Sequence, residues 1–148
     1  MRLRTLARLA RMPFHDKAIT VEALALLAAA SLAIARRPFR EVVELAAGHA
    51  TAQPRYSDAQ TIDLCRWAVK AWADRVPWRA VCFQRGLALH WMLRRRGILS
   101  LLNYGVAQGG DKGLRAHVWV DVGGRTVMGG AEAPGFACLA TFPDHGGV

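Results

Sequence analysis

No two cysteines in this chain stand close enough to form a CxxC pair, and only three are present: Cys65, Cys82 and Cys138. Together with the five histidines they make no cluster at zinc-ligand spacing, so a structural zinc site is not expected. An odd, sparse set also argues against a disulfide framework and suits a reducing cytoplasm, where thiols stay free. Acidic residues are scarce too: 11 Asp and Glu stand against 20 Lys and Arg, a formal charge of +9. That balance favours acidic partners, such as nucleic acid, an anionic membrane or an acidic peptide. The basic residues are dispersed, however, over 2–11, 36–40 and 94–96. No zinc finger, aromatic-basic RNA motif or helix-turn-helix accompanies them, so no nucleic-acid partner is expected. Internal repeats and low-complexity linkers are also missing, and 148 residues read as one domain. A chain of this length buries about two-thirds of its unfolded surface, enough to fold without staples.

Only one long apolar run occurs, at 18–35, behind an arginine-rich start and broken by Thr20, Glu22 and Ser31. Its length is near the minimum for a membrane span. Glu22 in mid-bilayer would cost on the order of a few kcal/mol, alanine supplies much of the apolarity, and no small-residue cleavage site stands out. The run reads as a core helix of a cytoplasmic protein, and membrane association is not expected.

Alanine and leucine over 21–35 predict a helix, closed by Arg36, Arg37 and Pro38. A short helix is predicted over 39–47, ending near Gly48, then a loop over 49–55. Ser57 or Asp58 caps a third helix reaching about Arg75. After a break at Val76-Pro77-Trp78, a fourth helix runs from about Ala80 through Leu93, with arginines 94–96 in its last turn and Gly97 at its end. The periodicity then changes to two. Strands are predicted over 98–107 and 115–122 with a flexible 109–113 between them, then a Gly123-Gly124 hairpin turn and a third strand over 125–128. The tail from Gly129 reads as loop. Helices followed by a small antiparallel sheet make an α+β fold.

Cys82 opens the fourth helix. Amides at a helix N-terminus, with the helix dipole, favour a thiolate and can stabilise an oxyanion formed beside it. A free cysteine is as often a small buried hydrophobe, so position alone does not assign it. His117 adds to the case: it lies on a later strand, sharing a face with Trp119 and Asp121 while the valines take the other. An imidazole beside a thiol can remove its proton and later protonate a leaving amine. Gln84 is either an oxyanion donor or a surface residue, and Trp119 either shields the site or merely packs. His90, eight residues along the same helix and about 12 Å away by helical rise, is not a partner for Cys82. Cys65 and Cys138 read as structural thiols, and His15, His49 and His145 stand apart. Arginines 94–96 either help bind an acidic peptide or form a solvated helix end.

The run Pro77-Trp78-Arg79-Ala80-Val81-Cys82-Phe83-Gln84-Arg85-Gly86, continuing to Gly97-Ile98, resembles the nucleophile region of the B2 proteins of lasso-peptide biosynthesis, within the transglutaminase-like superfamily. Ala116-His117-Val118-Trp119-Val120-Asp121, the Gly-Gly hairpin and Val127-Met128-Gly129-Gly130 resemble their histidine region, and Glu22-Ala23-Leu24 and Arg37-Pro38-Phe39 fit their helical lead-in. The resemblance covers about residue 18 to Phe142. It implies a papain-like, transglutaminase-type cysteine protease fold over 1–148, with a helical lead-in at about 1–50 and no cofactor or metal. It also implies a leader peptidase that frees the core of a ribosomally made precursor for a separate lasso cyclase. Residues 1–50 are too helical to be the small leader-recognition module, so a separate leader-recognition protein is expected as partner.

Carried over, Cys82 is the nucleophile and His117 the general base and acid. The acid that such enzymes take from the next strand is missing from Thr126-Val127-Met128-Gly129-Gly130. Asp121 ranks first as the orienting residue and Glu132 second. Asp121 is about 13 Å along the strand from His117 unless the strand bends, and a backbone carbonyl or water is a further possibility. Two other functions use the same residues: a transglutaminase or amidase that passes the acyl group to an amine, and a non-catalytic module that escorts the precursor to the cyclase.

Overall fold

A computed structural model describes residues 2–47 and 59–143. Five helices come first: α1 (Arg2–Arg11), α2 (Phe14–Arg36), α3 (Phe39–Ala47), α4 (Ala59–Ala73) and α5 (Cys82–Arg95). Four strands follow: β1 (Ser100–Gln108), β2 (Leu114–Val122), β3 (Arg125–Met128) and β4 (Ala137–Phe142). The expected α+β order, helices and then a small antiparallel sheet, is the order found. The predicted loop at 49–55, the helix end at Gly48 and the cap at Ser57 or Asp58 lie outside the described residues.

Three boundaries differ from expectation. Residues 2–11 form a helix of their own, separated from the next by Pro13, which cannot donate to a continuous helical ladder. The long helix therefore starts at Phe14 rather than at 21. The tail contains a strand, β4, where loop was expected. Gly129, Gly130, Pro134 and Gly135 fill the connection that precedes it, and these residues masked the short apolar run behind them.

The sheet order is β3-β2-β1-β4, with every neighbour antiparallel. Its helix-facing side carries Val118, Val120 and Val122, the alternate residues of β2. α5 lies against them because Gly86 has no side chain: a Cβ there would meet Val118 Cγ1 at 2.8 Å and Leu102 Cδ1 at 3.3 Å. The remaining core is α2 against α4 and α5, through Ile19, Ala23, Leu27 and Ala30 on one side and Val69, Leu87, Met92 and Leu93 on the other. Each fully buried leucine in this set contributes roughly 1.5–3 kcal/mol by leaving water.

α2 is long and apolar enough to cross a membrane by length and composition. In the fold its inner face is core, and the acid that interrupts its apolar run is clamped: Glu22 pairs with Arg95 at 3.1 Å and takes two guanidinium bonds from Arg96. Burial works against the Arg96 charge, but the Glu22 carboxylate more than offsets this and raises the guanidinium pKa further. Trp72 Nε1 donates to Thr20 O at 2.8 Å, and Trp78 Nε1 donates to Ser31 Oγ at 2.9 Å, so indoles fasten two more points of α2. His90, on the inner side of α5, is fully buried with Nδ1 2.8 Å from Ser100 Oγ.

Cys65 lies in the same interior. Burial, first of all, pushes its thiol up to about 11, with Arg96 opposing and Glu22 reinforcing the shift. The unfolded chain therefore releases this proton at lower pH than the folded one does. Stability that is intact below about pH 9 is expected to fall, by on the order of 2 kcal/mol, as pH rises to about 11. Urea titrations across that range should show this slope in the wild type and a flatter one in Cys65→Ala.

Candidate functional site

Cys82 is the first residue of α5, and the local sequence explains why the helix begins there. Pro77 breaks the preceding chain, and Arg85 N–H then donates to Val81 O at 3.1 Å to start the ladder. The Gln84 side-chain oxygen accepts from Val81 N–H at 3.2 Å, which is the half of a capping box that these residues can make. The Oε1 atom of Gln84 is thus engaged as a cap. First-turn amides, that of Cys82 among them, have no acceptor within the helix. The Cys82 side chain is half-buried, whereas Cys65 is buried and Cys138 exposed. Arg85 stiffens the approach to the helix, donating from Nε to Ala80 O at 2.8 Å and pairing with Asp74 at 3.1 Å.

His117 is only 8% exposed, so its ring is not on a solvated face of the sheet. Its ring is set between two aromatics, Trp119 with centroids 6.1 Å apart and Phe136 at 5.0 Å. Trp119 can lie there because Gly105 on β1 is bare: a Cβ at 105 would touch the indole at 2.8 Å. Arg115 in turn covers Phe136, its guanidinium carbon 5.4 Å from the ring centre.

His117 Nε2 is 2.9 Å from the carbonyl oxygen of Gly129. A carbonyl can only accept, so Nε2 carries the proton and Nδ1 is the basic nitrogen. Nδ1 has no hydrogen-bond partner among the described residues. Gly129 adopts φ +77°, and a Cβ on it would meet Val118 O at 2.7 Å and His117 Nε2 at 3.2 Å. Only glycine brings this carbonyl to the ring without strain. Glu132 Oε2 stands 3.8 Å from the same Nε2 on a largely exposed side chain.

Asp121 does not reach His117. Its carboxylate accepts from Thr126 Oγ1 at 2.6 Å and from Asn103 Nδ2 at 2.9 Å, while Asn103 Oδ1 accepts from Thr141 Oγ1 at 2.8 Å. This belt crosses all four strands, one residue from each, and gives Asp121 a structural place. The expectation that Asp121 orients the histidine is therefore corrected. β2 is irregular between Val120 and Asp121, but the irregularity directs Asp121 to Thr126 on β3, not back along its own strand. The group at the ring is the backbone carbonyl, with Glu132 behind it.

Two cavities meet at this point, and Val81, Cys82, His117 and Val118 line both. One, of about 560 Å³, is mixed in character and carries the charged and polar side chains of Arg66, Lys70, Arg85, Thr126 and Glu132. The other, of about 340 Å³, is mainly apolar, with Ile34, Val42, Phe83 and Tyr104, and Arg37 among its lining. The thiol and imidazole thus sit at the waist of a cleft that changes character across them. Among the described residues no group of three or more His, Cys, Asp or Glu side chains is placed to hold a metal. Arg95 and Arg96 of the basic run are occupied by Glu22 rather than offered to the cleft. Gly129 as an acceptor and Phe136 as a wall were not singled out from sequence. The glycine pair after the hairpin was the available signal for the first, and Phe136 had none.

The family model for the transglutaminase-like superfamily matches residues 23–141. That span includes Cys82, His117, β1 to β3 and all of β4 but its last residue. No curated protein and no solved structure matches the chain.

Carboxymethylation of Cys82 by iodoacetate reads this geometry directly. Gly129→Ala should lower thermal stability and slow the reaction about tenfold, the equivalent of one hydrogen bond. Glu132→Gln leaves the carbonyl in place and should change the rate less than about fivefold. Asp121→Asn should lower stability while leaving the alkylation rate unchanged.

Proposed function

The chain belongs to the transglutaminase-like superfamily, whose members are commonly cysteine-dependent enzymes, and we propose that it is a cysteine peptidase that removes the leader from a ribosomally made lasso-peptide precursor. The observation that carries this reading is the pairing at the waist of the cleft: a helix-terminal thiol and an imidazole whose Nε2 is tied to Gly129 O, with Nδ1 left to act.

The chemistry follows from those positions. Nδ1 of His117 takes the proton of Cys82 Sγ as sulfur attacks the scissile carbonyl. The oxyanion forms beside the first-turn amides of α5, where unpaired N–H groups and the helix dipole favour negative charge. Nδ1–H then protonates the leaving amine, and the core peptide departs, leaving the leader as a thioester on Cys82. Water, deprotonated by Nδ1, hydrolyses the thioester and releases the leader carboxylate and the free thiol. Gly129 O holds the ring orientation through each step.

The cleft supports a peptide substrate laid across the waist, with apolar side chains received beside Phe83 and Tyr104 and acidic ones beside Arg66 and Lys70. A peptidase of this kind acts in the cytoplasm with a separate leader-recognition protein and hands the core to a lasso cyclase. It needs no cofactor for the steps described.

Incubating the protein with the precursor and the recognition protein, and following mass, tests the reading. Wild type should release leader and core. Cys82→Ala should release neither, and His117→Ala should be slower by about 10²–10⁴-fold. Leader mass increased by an added amine would assign an acyl transferase, and an intact precursor that co-elutes with the wild type would assign an escort module.

A further inference from the structure

The described residues expose ten large hydrophobic side chains, and five of them lie in the first two helices: Leu3 at 84%, Leu6 at 62%, Phe14 at 89%, Val21 at 66% and Leu32 at 50%. They are not scattered. At 3.6 residues per turn, Leu3, Leu6, Ala7 and Ala10 fall on one side of α1, flanked by Arg4 and Arg11. Leu9, half-buried, and Arg8, whose guanidinium lies 4.5 Å from the centre of the Trp67 ring on α4, mark the side turned to the body of the protein. Leu3 and Leu6 therefore face away from the fold, with Arg4 and Arg11 exposed beside them. On α2 the outer face, opposite the buried Ile19, Ala23, Leu27 and Ala30, reads Phe14, Ala18, Val21, Ala25, Ala28 and Leu32, with no polar residue among them. That stripe is about 27 Å long.

Exposed apolar faces of this kind on two successive helices mark an interaction site. Its charge identifies the partner. Residues 1–17 hold Arg2, Arg4, Arg8, Arg11 and Lys17 against a single acid, Asp16, and Arg36, Arg37 and Arg40 stand at the far end of the stripe. A basic amphipathic helix with leucines on its free face is the form that lies in the headgroup region of an anionic bilayer. A second copy of a chain of charge +9 would bring like charges together at both ends of the stripe. Spanning is incompatible with the fold, because Glu22 on α2 is held by Arg95 and Arg96 and the inner face of the helix is core.

We propose that α1 and the outer face of α2 dock this protein on the surface of an anionic membrane, lying in the interface without crossing it. Leu3, Leu6, Phe14, Val21 and Leu32 enter the acyl boundary, and the arginines meet lipid phosphates. Such docking departs from the expectation of no membrane association.

Co-sedimentation of the full chain with vesicles tests the proposal. The protein should sediment with phosphatidylcholine vesicles containing phosphatidylglycerol, remain in solution with phosphatidylcholine alone, and be released by high salt. Arg4→Gln/Arg11→Gln should lower the partition coefficient about 30-fold, at about 1 kcal/mol per basic residue near the surface. Val21→Glu/Leu32→Glu should abolish binding while Cys82 alkylation proceeds at the wild-type rate, which shows that the fold is kept. Absence of sedimentation with either vesicle, or binding indifferent to the two glutamates, overturns the proposal. So does a dimer in light scattering that the same glutamates dissociate, since the stripe would then be covered by a second copy.

Discussion

The distance between α5 and β2 governs most of what this molecule can do. Gly86, one turn beyond Cys82, lets the helix backbone settle onto Val118, and any side chain there would hold the two elements apart. Val118 is the neighbour of His117, so one packing contact fixes the helix that starts with the thiol against the strand that carries the imidazole. The rest of the interior serves this contact: Leu87, Leu89 and Leu93 bury α5 on its other sides, and α2 and α4 close over it. Because interiors are close-packed and do not deform continuously, a shift at Gly86 would pass to the cleft rather than be absorbed.

Two further glycines act on the site by absence. Gly105 leaves room for the Trp119 indole, which braces one side of the His117 ring. Gly129 brings its carbonyl to the other end of the ring through a left-handed backbone. A histidine held by stacking and by main chain needs less from neighbouring acids. Asp121 is accordingly available for another task, joining Thr126, Asn103 and, through Asn103, Thr141 into a belt across the sheet. A four-stranded sheet with a short β3 at one edge gains from such a tie, because the polar groups of the belt, the buried Asn103 among them, satisfy one another.

Helix and strand order, the Gly-Gly hairpin and the prominence of Cys82 and His117 were legible in the sequence because each rests on local pattern: a break and then a helix, or a period of two. The helix–acid conflict at Glu22 was legible as a question but not as an answer, since Arg96, which donates to both its oxygens, stands 74 positions away. The misreading of Asp121 has the same origin. A carboxylate on the histidine's own face is the natural candidate until cross-strand neighbours are known, and Thr126 and Asn103 become its partners only through strand register. β4 was hidden for a different reason. It is an edge strand with an outwardly exposed first half, so burial left a weak periodic imprint behind the glycines and Pro134. Gly129 O could not be found from side-chain chemistry at all.

That last acceptor changes how the site meets its environment. The oxygen that receives Nε2–H belongs to a peptide group and has no proton to gain in the physiological range. Acid can charge the imidazole, but it cannot discharge the group that aims it, as it would a carboxylate. The ring is aimed by main chain, and that aim does not depend on the ionisation of a partner. Orientation and ionisation, which a carboxylate partner links, are separate properties here: the first belongs to the shape of the chain, and only the second answers to pH.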